Sequence, residues 1–405
     1  MIKHILDTTE KIIDGSLPYQ QFSKDLKQDN SYSQSEKHQF RTLVNALLNR
    51  YFRYLYSLTE GEETTLTQFE VLALSLFSFN REKKVVPLSY EEFLAALPTD
   101  IQVKFEQEYP DESFPIRIPK HFHSENPALS LAARFSVPLA LTEQLIADIG
   151  RKNLLKFLTN RYRETYGLIN QNVISDEDFF ANMPLFIRGL KPGEYEYKGK
   201  EYIKKTPAYN NNEIVIASQT LLDVVDIIES KKPKNLLFVQ HEDTSLMLVL
   251  ALKYPEIQIH FYKDDNRSKY IVRHLVRKFS LENVTYVDKI TQTYDFVLTT
   301  LQSSNINGDI RHRDFYFRLP DNLQFFAAKG REELEELKDY VNEDGHLMFI
   351  TTTVLRFETH LQAVGFVRDY PEFELILEKQ HFHFTPNNET LYYALLKKGA
   401  HVEEA

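Results

Sequence analysis

The sequence predicts an α+β chain of several domains, with an all-helical N-terminal domain followed by an α/β domain on a mostly parallel sheet. Three observations predict it. Residues 1–97 carry apolar residues at helical spacing and little Pro or Gly. From residue 214 onward, short apolar runs alternate with amphipathic helical stretches, as in a parallel sheet covered on both faces. The chain has 405 residues, 42% of them hydrophobic and 13% aromatic, enough for two or three cores at roughly 150 residues per domain.

The elements follow in order. Leu43, Leu47, Leu48, Tyr51 and Leu55 recur at helical spacing, as do Phe69, Leu72, Ala73 and Leu76. Ser89 is placed to cap a further helix that stops at Pro98. Residues 98–128 are rich in Pro and charge and read as an irregular linker. Residues 129–213 form a connecting subdomain: helix over LTEQLIADIGRKNLLKFLTNRY, an extended piece YGLINQNV, a short helix from Ser175, then turns and short strands. Residues 214–400 give a helix SQTLLDVVDIIESKK and a buried strand NLLFVQ. Helices SLMLVLALKYP and SKYIVRHLVRKF then alternate with strands QIHFY, VTYVD and YDFVLTT. Residues 331–341 read as helix and HLMFITTT as strand. FELILEKQHFHF and TLYYALLKKG, close together, predict an antiparallel pair at one edge.

Composition removes whole classes of chemistry. With no cysteine, the chain has no disulfide, no thiolate metal site and no thiol nucleophile. Its 48 Lys+Arg against 58 Asp+Glu give a net charge of −10, so binding of nucleic acid needs a local basic patch. Twelve glycines leave room for few phosphate-cradling loops. The N-terminus lacks an apolar signal segment, and no run of 18 apolar residues occurs. A soluble cytoplasmic protein is expected.

The element order from 214 is that of a class I methyltransferase domain, and the whole chain resembles one family. The segments EKHQFRTLVNALLNRYFRYLYSL, EIVIASQTLLDVV, YDFVLTTLQSSNINGDIRHRD, DGHLMFITTTVLRFET and TLYYALLKKG stand in the order and spacing of the bacterial 16S ribosomal RNA cytosine-5 methyltransferases. In those enzymes a NusB-like helical domain precedes a Rossmann-like methyltransferase domain. The resemblance implies S-adenosylmethionine as cofactor and two cysteines as catalytic groups. One adds to the cytosine ring and the other assists release of the product.

The departures fall on the chemistry. The attacking cysteine corresponds to Thr352 and the releasing one to Ser303. A hydroxyl with no adjacent base replaces a thiolate poorly. The acid that ends the family's first strand corresponds to Phe238, and no glycine loop follows in QHEDTSLM. The acid of the second strand corresponds to Lys263, with Asp264 next to it, and Asp288 matches the acid near the adenine. Asp264 and Asp288 are therefore the vestigial cofactor contacts that the resemblance implies.

Other motifs have a sharp and a plain interpretation. Arg311, His312 and Arg313 resemble the family's basic loop near the target base. Lys263 and Arg267 open KDDNRSKYIVRHLVRK, which holds six Lys/Arg against two Asp and either faces phosphates or is a solvated helix face. His121/His123 and His381/His383 have metal-compatible spacing, but no third ligand is indicated and no metal is expected. His241, Glu242 and Asp243 read as a polar helix cap. Tyr51, Phe52, Tyr54 and Tyr56 offer stacking surfaces or a core. The expected function is a degenerate, non-methylating homologue that binds RNA or the ribosome. An active S-adenosylmethionine-dependent RNA methyltransferase with altered catalytic residues is one alternative. A protein-binding scaffold, favoured by the net negative charge, is the other.

Overall fold

The structure, a computed structural model, describes residues 1–59, 65–110, 124–240, 245–263, 266–307, 317 and 324–399. The chain divides into two compact units, residues 1–151 with 310–321 and residues 152–309 with 322–405.

The first unit is helical. Helix Gln68–Lys83 is buried continuously from Glu70 to Asn80, so it is a central helix walled by others. Its entry is fixed by a capping box in which Thr67 and Glu70 each satisfy the other's main-chain N–H. Ser89 and Glu92 repeat the device ahead of helix Tyr90–Ala95, at the predicted cap. The stretch read as irregular from 98 instead begins as helix Thr99–Glu108. Pro98 stands just before its first turn, where no main-chain donor is missed. Phe105 is the helix's one buried residue and its anchor, stacked on Phe93 at 6.4 Å. One anchor in ten residues leaves little periodicity to read. The aromatic cluster of helix Gln34–Thr59 serves packing. Tyr51 and Tyr54 are buried, Phe52 stacks on Phe317 at 5.2 Å, and the Tyr56 hydroxyl accepts from the Leu139 N–H at 2.6 Å.

The second unit carries two sheets. The smaller contains β1 (Tyr166–Ile169), β2 (Phe186–Arg188), β3 (Glu194–Tyr197) and β4 (Ile214–Ile216), in antiparallel order β2-β3-β1-β4. Gly167 is required there, because a Cβ would meet the Val215 carbonyl oxygen at 2.0 Å.

The larger sheet has seven strands: β5 (Asn235–Gln240), β6 (Gln258–Tyr262), β7 (Val284–Val287), β8 (Tyr294–Thr300), β9 (Val341–Thr351), β10 (Phe373–His381) and β11 (Leu391–Lys398). Their order is β10-β11-β9-β8-β5-β6-β7, parallel except for β11, which runs antiparallel between β9 and β10. This is the Rossmann-like methyltransferase sheet. Successive residues of a strand serve opposite cores. Leu236 and Phe238 pack with helices Gln219–Ser230 and Ser245–Lys253, while Leu237 and Val239 pack with Leu334, Leu337 and Phe366 on the other face. Burial on both faces explains why these strands read as unbroken apolar runs. Helix Gln324–Leu337 and β9 both begin earlier than the sequence pattern indicated. For β9 the polar residues Asn342, Glu343 and Asp344 at its first pairs hid the start.

Candidate functional site

In parallel sheets, sites lie beyond the carboxyl ends of the strands. Here two of those ends, after β8 and β9, carry a network of small polar groups. The Leu301 N–H donates to the Ile350 carbonyl at 2.9 Å and holds the two exits side by side. Beyond them, the Thr352 hydroxyl donates to Oδ1 of Asn305. The Ser303 hydroxyl lies 3.4 Å from the same oxygen and accepts from the Asn305 N–H at 3.3 Å. Asn305 has φ of 53°, a left-handed conformation that Asn tolerates better than most residues. The structure therefore brings Ser303 and Thr352 together, with one amide between them.

Behind this pair lies a buried carboxylate that the sequence reading did not single out. Glu358 is 3% exposed. Its Oε2 accepts from the Ser304 N–H at 2.7 Å, and its Oε1 is buried without a partner. Burial pushes its carboxyl up to about 7. The Ser304 and Thr353 hydroxyls lie 3.0 Å apart beside it. The Thr352 and Ser303 hydroxyls meet the Asn305 amide rather than this carboxylate. An alcohol needs a neighbouring base to become a nucleophile, and the amide that meets Thr352 and Ser303 is no base.

At the cofactor end the place of the first-strand acid is filled. Phe238 is fully buried and packs edge-to-face on Phe261 at 5.6 Å. It gives the core a ring where the resemblance places a ligating acid. Asp288 forms an ion pair with Lys269 and its side chain is 72% exposed. The Lys263 carbonyl accepts from the Tyr286 hydroxyl. A cavity of about 100 Å³ lies between the two strand exits, lined by Leu246, Leu301, Asn305, Thr351, Thr352 and Glu389. The Thr351 hydroxyl is buried there without a partner. Ligand pockets run to roughly 300–1,000 Å³. Of the acids the resemblance implies for the cofactor, Phe238 replaces one, Asp288 is turned to Lys269, and Asp264 lies outside the described residues.

A larger cleft, of about 370 Å³, lies on the other side of Leu221 and Glu389, which line both spaces. Glu389 is held by the Ser218 hydroxyl at 2.5 Å, and Ser218 also caps helix Gln219–Ser230. Tyr162, Tyr209, Ser245 and Lys278 line the cleft, as do Lys204 and Glu164, which pair at 2.9 Å.

The remaining predicted residues scatter. Arg267 is exposed near the start of helix Asn266–Phe279. Asp264, Arg311, His312, Arg313, His121, His123, His241, Glu242 and Asp243 lie outside the described residues. His383 uses both ring nitrogens within the core, Nδ1 with Thr390 at 2.5 Å and Nε2 with the Phe157 carbonyl at 2.8 Å. It has none left for a metal, and among the described residues no cluster of metal-binding side chains occurs. Among them, too, no helix is long and apolar enough to cross a membrane. Glu358 and Asn305 escaped the sequence reading because nothing in RFET or SSNIN sets them apart from turn residues.

No protein-family profile and no curated protein matches the sequence. Solved structures do match its fold. PH0851 is 15% identical with a TM-score of 0.64, over 98% of this chain and 99% of its own. A methyltransferase homolog protein from Pyrococcus horikoshii is 13% identical with a TM-score of 0.56, over 68% of this chain and all of its own. NSun6 from Pyrococcus horikoshii, solved with SFG, is 9% identical with a TM-score of 0.55, over 64% of this chain and 97% of its own. At these identities the likeness is one of fold: a mixed α+β chain with a Rossmann-like methyltransferase sheet and a helical N-terminal region.

Proposed function

We propose that this chain is a degenerate homologue of the RNA cytosine-5 methyltransferases, one that keeps the fold and binds RNA without methylating it. The observation that carries the reading is the pairing of Thr352 and Ser303 through Asn305, at the two strand ends where the resemblance places the catalytic cysteines. Both groups are alcohols, and the partner they share cannot take a proton at neutral pH. The filled position of Phe238 and the small cavity beside it support the same reading. The resemblance to ribosomal RNA methyltransferases favours RNA as the partner.

The test has two parts. Incubation with tritiated S-adenosylmethionine and ribosomal RNA is expected to leave the RNA unlabelled. Calorimetric titration with S-adenosylmethionine is expected to give no heat up to millimolar ligand in folded protein. Time-dependent label in the RNA would overturn the reading.

A further inference from the structure

Helix Asn266–Phe279 divides cleanly along its length. Val272 and Phe279 are buried, with Leu275 and Val276 packed against the same core. Its other side is exposed at Arg267, Tyr270, Arg273, His274, Arg277 and Lys278. At 100° per residue these six fall within an arc of about 140°. Tyr270 is 73% exposed, an aromatic ring set among cations. Lys269 lies off this face and is neutralised by Asp288. None of the three arginines forms an ion pair with a described residue, and neither does Lys278. Four cations on one helix face, none in an ion pair with a described residue and Lys278 over the Phe279 ring at 5.5 Å, stand out on a chain of net charge −10.

We propose that this face is where single-stranded RNA docks, its phosphates along the arginines and a base on Tyr270. The inference rests on the RNA-binding reading above and adds the surface. From Arg267 to Lys278 the face runs about 16 Å, the rise of roughly five stacked nucleotides. Unpaired cations bind phosphates by releasing counterions, and an interleaved ring supplies stacking that tolerates any base. An acidic protein would be met by the cations alone and would leave the exposed ring without a role. Lys278 also lines the 370 Å³ cleft, so the strand leads from the helix toward Tyr162 and Tyr209. The surrounding negative charge repels RNA elsewhere and confines binding to this strip.

The experiment is fluorescence anisotropy of a labelled single-stranded RNA against the full chain, from 50 to 300 mM salt. The proteins are wild type, the double variant R273Q/R277Q, the variant Y270A, and K329Q as a control on the opposite face of the sheet. Circular dichroism confirms that each is folded. Neutralising two phosphate contacts is expected to lower the slope of log K against log salt by about 1.4, and to weaken binding at least tenfold at low salt. Y270A is expected to weaken binding with the slope unchanged, and K329Q to behave as wild type. Wild-type binding that R273Q/R277Q leaves intact would overturn the docking surface while the RNA reading stands. Absence of wild-type binding at 50 mM salt, or binding to phosphatidylserine vesicles in its place, would overturn both.

Discussion

The strand ends after β8 and β9 and the outer face of helix Asn266–Phe279 lie in one compact unit and handle polarity in opposite ways. At the strand ends the polar groups have turned to one another. Thr352 and Ser303 share Asn305, Ser304 donates to Glu358, and a small cavity is what remains between them. On the exposed helix face Arg267, Arg273, Arg277 and Lys278 face water, and none forms an ion pair with a described carboxylate. Groups that satisfy one another hold loops in place and offer a ligand little; here the Thr351 hydroxyl and Glu358 Oε1 are the exceptions, buried without a partner. Groups left unsatisfied in water add little stability and keep their full capacity to bind. The comparison predicts a division of effects: substitutions at the strand ends and in the core beneath them change stability, whereas those on the helix face change binding.

The largest effect is expected at Phe238. Phe238→Asp restores the acid that the resemblance places there, but it buries a charge against Phe261 with no partner and removes a full aromatic ring. A loss of at least about 4 kcal/mol is expected, enough to unfold a marginal domain. Urea denaturation checks it. A variant as stable as wild type would mean that the strand end is open and that the comparison is wrong at its root.

Glu358 comes next, and its effect depends on pH. Its folded-state pKa of about 7 lies above the ordinary 4.5, so the folded state favours the protonated form. The associated stability is therefore fully present below pH 4.5 and is lost as pH rises through 7. The difference of about 2.5 units corresponds to roughly 3 kcal/mol. Glu358→Gln keeps an acceptor for the Ser304 N–H and cannot ionise. It should match wild type near pH 4.5 and exceed it by up to about 3 kcal/mol at pH 8.5. Urea midpoints at the two pH values measure this. Equal pH dependence in both proteins would show that Glu358 is not the titrating group.

How far the sequence disclosed this arrangement depends on the physical signal each part emits. The seven-stranded sheet was legible because strands buried on both faces write unbroken apolar runs, as in LLFV and FVL. Ser89 was legible because a cap has its own residue type at its own distance from a glutamate. Helix Thr99–Glu108 was not, since a single buried residue, Phe105, sets no period. Ser303 and Thr352 could be located only through the resemblance, and their shared partner Asn305 could not be located at all. That contact joins residues 47 apart through loop geometry, which no periodicity encodes. The basic helix gave its charge in sequence but not its meaning. Six Lys/Arg in sixteen residues fit either a solvated surface or a phosphate track, until exposure and pairing separated Lys263 and Lys269 from the four on the exposed face.

A smaller effect is expected at Thr352. Thr352→Val keeps the shape and removes the hydroxyl that donates to Asn305. The expected cost is about 1 kcal/mol, as for one hydrogen bond between neutral groups. RNA affinity and its salt dependence should not change. Thr352→Cys combined with Ser303→Cys should likewise leave methyl transfer undetected, because thiols restore the nucleophile without restoring the acid lost at Phe238. Label in the RNA from that double variant would show that only the cysteines had been lost.

The smallest stability effect, and the sharpest test of the comparison, is on the helix face. Arg277→Gln removes an exposed charge that pairs with no described carboxylate, so unfolding should shift by less than about 0.5 kcal/mol in either direction. Its direction is informative. If Arg277 repels Arg273 across one helical turn, removing it relieves like-charge strain, and the variant is slightly more stable at low salt and equal to wild type at high salt. If instead Arg277 meets an acidic group on the same chain, the variant is less stable at low salt. Thermal melts of Arg277→Gln at 20 and 500 mM salt distinguish the two. The first outcome identifies a charge kept at a cost to folding, which only a binding role explains. The second makes it part of the protein's internal electrostatics and removes the ground for setting this face against the strand ends.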